Sequence, residues 1–215
     1  MADVSSESGL SADNSYFESR DFGRVGYLDE GESDSVLLLL HGWNSHSGTW
    51  KKIVPRLKRK FRVVAPSLPP HFGEFMDMPV RGYASAADEL LRHLGIGKAA
   101  LLGNSMGGWI ALHFLCSFPK KVTALVLEDT AGIGFDLDSD GMRSDPLVSC
   151  VVRSGVRTLI VWGAGDSIIP SAVGRALHDA IRNSIYLEFS GSGHVPHWQQ
   201  PSEFVSAVEK FMMER

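Results

Sequence analysis

From residue 36 onward, short apolar runs alternate with stretches of helical periodicity, and this alternation restricts the fold more than any other feature. The runs SVLLLLHG (35–42), FRVVAPS (61–67), KAALLGNS (98–105), VTALVLED (122–129), VRTLIVWG (156–163) and SIYLEF (184–189) are too short for buried helices. Their Val, Ile and Leu content suits strands covered on both faces. Helical patterns fall near 49–60, 82–95, 106–117, 171–181 and 201–213. Strands joined through helices run parallel, because a parallel pair needs a long crossover. The expected fold class is therefore α/β, a mostly parallel, doubly wound sheet. SYFESRDFGRVGYLDEG (15–31) alternates more strongly and carries Gly23 and Gly26, which predicts a pair of antiparallel strands at an N-terminal edge.

With 215 residues, 44% hydrophobic and 21% charged, the chain can bury a sizeable core as one domain, without a disulfide or metal staple. That domain is expected over 15–215. Residues 1–14 are acidic and Ser-rich, lack the apolar core of a signal peptide, and read as a disordered tail. Residues 131–155, AGIGFDLDSDGMRSDPLVSCVVRSG, have no strong period and read as a flap holding at most one short helix, near 145–153. A net charge of -4 gives no footprint for nucleic acid. No apolar run reaches the ~18 residues of a membrane span. The basic cluster KKIVPRLKRK (51–60) sets Ile53, Val54 and Leu57 on one side, as a solvated amphipathic helix would. Cys116 reads as a small core residue, Cys150 stands at no metal-like spacing from it, and a reducing, cytoplasmic compartment is the simpler assumption. No His, Asp or Cys cluster has ligand spacing, so neither metal nor cofactor is expected. Oligomeric state is not legible.

In open α/β sheets, ligands bind beyond the carboxyl ends of the strands. The reactive residues there are His41, Ser67, Ser105, Asp129, Asp166 and His194. Serine is a weak nucleophile until histidine takes its proton and a carboxylate orients the imidazole. GNSMG (103–107) matches G-x-S-x-G between a predicted strand and a predicted helix, the setting of a nucleophile elbow at Ser105. Asp166 follows LIVWG, and His194 lies in the Gly-rich SGSGHVPHW. The order serine, aspartate, histidine completes the constellation. Asp129 is the alternative acid and His197 the alternative base. His46, His71, His93, His113 and His178 read as surface or packing residues, with His71 near the pocket. Acyl transfer also needs donors for the oxyanion. The backbone N–H groups of Met106, after the serine, and Trp43, after His-Gly, are the candidates.

LLLLHGW, VVAPSLPPHFGE, LLGNSMGGWIAL, LVLEDTAG, TLIVWGAGDSIIP and SGSGHVPHWQQP together resemble the α/β-hydrolase superfamily, in its esterase, lipase and C–C hydrolase branch, from about residue 22 onward. The resemblance implies a cofactor-independent hydrolase with Ser105 as nucleophile, His194 as base and Asp166 as its orienter. Relatives with an aspartate at the elbow dehalogenate or open epoxides, and Ser105 argues against both. Two departures stand out. APSLPPHFGE replaces a loop that often reads Asp-x-x-Gly-His-Gly, and only about twenty-five residues occupy the place of the usual helical cap. A minimal cap implies an open cleft, with Trp109, Ile133, Phe135, Ile168 and Val195 as candidate lining beside Trp43. The expected reaction is cleavage of a small-molecule carboxylic ester. C–C bond, thioester or lactone hydrolysis on the same residues, and ligand binding with little turnover, are the alternatives.

Overall fold

The computed structural model describes residues 12–69, 80–134 and 139–214. Its strands are β1 (Ser15–Ser19), β2 (Gly23–Glu30), β3 (Val36–Leu40), β4 (Arg62–Pro66), β5 (Ala99–Asn104), β6 (Val122–Glu128), β7 (Thr158–Gly163) and β8 (Ser184–Phe189). They form one sheet in the order β1-β2-β4-β3-β5-β6-β7-β8. Only β2 runs against the rest, pairing antiparallel with β1 and β4. The helices are α1 (Val54–Leu57), α2 (Arg81–His93), α3 (Met106–Ser117), α4 (Ser139–Ser144), α5 (Pro146–Ser154), α6 (Ser171–Ala180), α7 (Pro196–Gln199) and α8 (Pro201–Met213).

The pleat of the sheet divides the core. In β3, Leu38 and Leu40 join a core with α2, α3, α5 and α6, while Leu37 and Leu39 join another with α1 and α8. All five β3 residues are buried, which is why the strand reads as continuous apolar sequence. Burial of one such Leu is worth roughly 1.5–3 kcal/mol.

Three local expectations change. The helix anticipated over 49–60 is a 3₁₀ turn (Ser47–Lys52) followed by the single-turn α1. Pro55 has no N–H to continue a helical ladder, so it fits only where a helix begins. The amphipathic logic survives, with Ile53, Val54 and Leu57 buried. Residues 131–155 hold two helices rather than one. Between them Asp145 caps α5, its Oδ1 accepting from the N–H groups of Leu147 (2.8 Å) and Val148 (3.2 Å). Met142 of α4 and Val148 and Val151 of α5 are buried against the core. Cys116 is not a free core thiol. A disulfide joins it to Cys150, so α3 and α5 are stapled with Cα atoms 5.5 Å apart. This pairing removes the ground on which a reducing compartment was expected.

Residues 12–14, assigned to the tail by sequence, are tied to the domain. The Ala12 N–H donates to Ser47 Oγ (3.0 Å), Asp13 Oδ1 accepts from the hydroxyls of Ser47 and Ser67 (2.7 Å each), and Asn14 bonds the backbone of Asp29. The rest of the expected tail lies outside the described residues. No described helix is long and apolar enough to cross a membrane.

Candidate active site

Ser105, Asp129, Asp166 and His194 sit just beyond the carboxyl ends of parallel strands, so the sheet brings together residues far apart in sequence. Ser105 links β5 to α3 with φ 54° and ψ -117°. A non-glycine residue there costs roughly 1–3 kcal/mol, a strain the surroundings must hold. Its N–H donates to the Glu128 carbonyl (2.9 Å), and its own carbonyl accepts from the N–H groups of Gly108 (3.0 Å) and Ala131 (3.1 Å). The glycines explain themselves here. A methyl on Gly103 would strike the Gly107 backbone, and one on Gly107 would strike the Leu40 carbonyl. The first turn of α3 thus lies directly against β3 and β5.

Asp166 follows β7 and its side chain is fully buried. Its Oδ1 accepts from the N–H groups of Ile168 (2.8 Å) and Ile169 (3.0 Å), and its Oδ2 meets His194 Nδ1 at 2.8 Å. Burial pushes the Asp166 carboxyl up, but hydrogen bonds from His194, Asp129 and Ile169 outweigh it and hold the group below its ordinary value. His194, beyond β8, keeps 17% of its side chain exposed. Asn104, adjacent to Ser105, donates from Nδ2 to the His194 carbonyl (3.1 Å) and so ties the β8 loop to the elbow. The Asp166 and His194 loops pass so closely that a methyl on Gly163 would meet the Gly193 carbonyl.

The remaining candidates separate into distinct places. Met106 opens α3, where a backbone N–H has no intrahelical acceptor. Gly42 lies against Ser105 and brings the loop carrying Trp43 to the elbow. Trp43 and Ile168 are large exposed apolar side chains, at 40% and 56% exposure. Trp109 is half-buried with its ring against Gly132, Val195 is half-buried, and Ile133 is a core residue. Phe135 and His71 lie outside the described residues. Two cavities, of about 560 and 610 Å³, are lined by residues of α5 and the α6 end and of the β2–β3 turn, not by Ser105.

Two of the reactive residues at strand ends are pins. The Leu68 N–H donates to His41 Nε2 (3.0 Å), so the proton is on Nδ1, which donates to the Gly42 carbonyl (2.8 Å). Burial lowers the His41 pKa to about 4. Ser67 binds Asp13 and the Ser47 N–H. His197 is not beside Asp166 at all. It is fully buried, with Nδ1 on Glu128 Oε2 (2.7 Å) and Nε2 on Thr49 Oγ1 (3.0 Å). Sequence reading missed Glu128, Thr49 and Asn104. Strand alternation offered no signal for Glu128 against Asp129, because Asp129 leaves the strand with φ 44°. Asp129 is wholly buried, and its Oδ1 accepts from the Gly163 N–H (3.0 Å). Among the described residues, Asp129, Asp166 and His194 form the one group of three donors close enough to hold a metal ion.

With this geometry in view, comparison with known proteins is informative. The sequence pattern of the alpha/beta hydrolase fold family matches residues 35–149. An uncharacterized protein of Mycobacterium bovis is 24% identical over 84% of this chain and 76% of its own length. The pimeloyl-[acyl-carrier protein] methyl ester esterase of Chromobacterium violaceum is 22% identical over 82% of this chain and 93% of its own. Among solved structures, the meta-cleavage product hydrolase of Pseudomonas fluorescens superposes with a TM-score of 0.80 at 19% identity, covering 93% of this chain and 97% of that one.

Proposed function

Because the chain belongs to the alpha/beta hydrolase fold family, we propose that its hydrolase chemistry is cleavage of carboxylic esters through an acyl-enzyme on Ser105. The observation that carries this reading is the 2.8 Å bond between His194 Nδ1 and a buried Asp166 carboxylate, in a loop tied through Asn104 to a serine held at φ 54°. Asp166 fixes the imidazole tautomer, leaving His194 Nε2 as the base for the Ser105 hydroxyl. The serine oxygen attacks the ester carbonyl while its proton passes to His194. The oxyanion is met by the N–H groups of Met106 and Trp43, each such donor being worth ~2.7–4 kcal/mol. His194 then returns the proton to the leaving alcohol, and water repeats the sequence to release the acid. Trp43 and Ile168, both exposed and apolar in the loops after β3 and β7, suit an ester with hydrocarbon on one side.

The esterase relative from Chromobacterium violaceum supports ester chemistry in a chain of this extent. The test is turnover of p-nitrophenyl esters of rising acyl length by wild type, Ser105→Ala and Asp166→Asn. A loss of roughly three or more powers of ten in Ser105→Ala supports the reading. Equal inactivity of wild type and Ser105→Ala on every ester overturns it, and points to C–C cleavage or ligand binding. Strong loss in the serine variant with little loss in Asp166→Asn would make Asp129 the working acid.

A further inference from the structure

Two carboxyl groups, not one, stand behind His194. Asp129, Asp166 and His194 each place one ligand-type atom within 4.8 Å of the others. Asp166 receives two backbone N–H groups and the imidazole, which together favour a carboxylate. Asp129 has one backbone donor, Gly163 N–H on Oδ1, while its Oδ2 is buried with no donor to meet it. As two anions the pair would repel in a site closed to water, and that oxygen would stay unsatisfied. A single proton removes both difficulties.

We propose that Asp129 is a neutral carboxylic acid whose Oδ2 proton is donated to the Asp166 carboxylate, making Asp129 a positioning residue for the Asp166–His194 pair. The proposal deepens the ester-hydrolase reading and rests on it for its catalytic meaning. Burial, and then the adjacent Glu128, push the Asp129 carboxyl well above the ordinary carboxylate range. The charged or titratable groups around it are Glu128 on its own strand and Asp166 and His194 from the loops after β7 and β8. The donated bond locks the Asp166 plane and draws off part of its charge. Asp166 then orients the imidazole without pulling the Nδ1 proton toward itself. Asp129 has φ 44°, and that strained turn at the end of β6 aims its side chain at Asp166.

The test needs no substrate, so its outcome is separate from that of the ester assay. Infrared difference spectra at neutral pH, wild type minus Asp129→Asn, should show the carbonyl stretch of a protonated carboxyl, lost in the variant. No such band would overturn the proposal, since Asp129 would then be an anion or a metal ligand. Proton NMR of the low-field His194 Nδ1–H signal supplies the second readout. Asparagine is the neutral isostere, its oxygen facing Gly163 and its amide N–H facing Asp166. Asp129→Asn should therefore leave the signal in place. Asp129→Ala removes the donor, makes Asp166 more basic and should move the signal downfield. An upfield move in Asp129→Asn means that a negative charge was removed, and overturns the proposal. An unmoved signal in folded Asp129→Ala also overturns it, because Asp129 would then be uncoupled from the pair.

Discussion

Two carboxylate–histidine pairs, whose histidines His194 and His197 are near neighbours in sequence, have the same first bond. Asp166 meets His194 Nδ1 at 2.8 Å, and Glu128 meets His197 Nδ1 at 2.7 Å. What differs is the far side of the ring. His194 keeps 17% of its side chain exposed, in a loop tied to the elbow. His197 has no exposure, lies against the Trp50 ring at 4.3 Å between centroids, and meets the Thr49 hydroxyl through Nε2. In the proposed reading, carboxylate, imidazole and hydroxyl occur twice, once with a partly exposed imidazole and the Ser105 hydroxyl and once sealed in the core. On that reading the chemical parts do not distinguish the reactive set from the brace; access and a strained serine do. The sealed set joins the end of β6, the loop after β8 and the turn after β3, the segments that carry Asp129, His194 and Trp43.

The sharpest way to break this comparison is to truncate the same element in each set. Ser105→Ala and His194→Gln should each cost roughly three or more powers of ten in ester turnover. Their unfolding free energy should change by well under 1 kcal/mol, since alanine keeps the Cβ that strains position 105 and only glycine would relieve it. His197→Ala should do the reverse. Removing one partner from a buried pair leaves the other uncompensated and costs about 3–5 kcal/mol. Turnover per folded molecule should fall far less than in His194→Gln. Urea denaturation with active-site titration separates the two quantities. A His197 variant that is stable but inactive would reverse the assignments.

His41 sharpens the comparison because it is buried and, among the described residues, has backbone groups but no carboxylate at hydrogen-bond distance. Its folded pKa of about 4 lies below the unfolded value of 6.5, so the unfolded chain binds the proton first as pH falls. The stabilisation is complete above pH 6.5 and is lost as pH drops through about 4, amounting to roughly 3 kcal/mol at most. Denaturation curves between pH 7 and 4 should therefore slope less in His41→Gln than in wild type. Equal slopes would mean that His41 keeps its charge when folded.

The contrast also marks what sequence could carry. The parallel strands were legible because burial on both faces leaves continuous apolar runs, as in the five buried residues of β3. The elbow was legible because the Gly103 and Gly107 backbones touch neighbours where any side chain would collide. The Cys116–Cys150 bond was not, since it depends on α5 lying against α3; a helix near 145–153 was expected, but not the element it packs on. His194 and His197 were hard to separate for a similar reason. They stand three residues apart, His194 in the loop after β8 and His197 in α7, and only the turn into α7 sends one outward and the other into the core. Adjacent acids pose the same problem. Glu128 closes β6 and Asp129 turns away from it at φ 44°, a break in alternation that a sequence does not reveal.

The smallest expected effect tests the brace alone. Thr49→Val keeps the shape of the side chain and removes only the hydroxyl that faces His197 Nε2 at 3.0 Å. His197 retains Glu128 on Nδ1 and through its own N–H, so the pair persists with one ring nitrogen unsatisfied. A buried polar atom left without its partner costs about 1–3 kcal/mol, less than deleting the ring. Ester turnover should hardly change, which is the reverse of Ser105→Ala, where the hydroxyl of the open set is removed. A Thr49→Val protein as stable as wild type would show that a buried water replaces the hydroxyl, and that the sealed set is less dry than its exposures imply. A large loss of turnover at unchanged stability would instead couple the brace to the cleft through the β8 loop, and the two sets would then act as one unit.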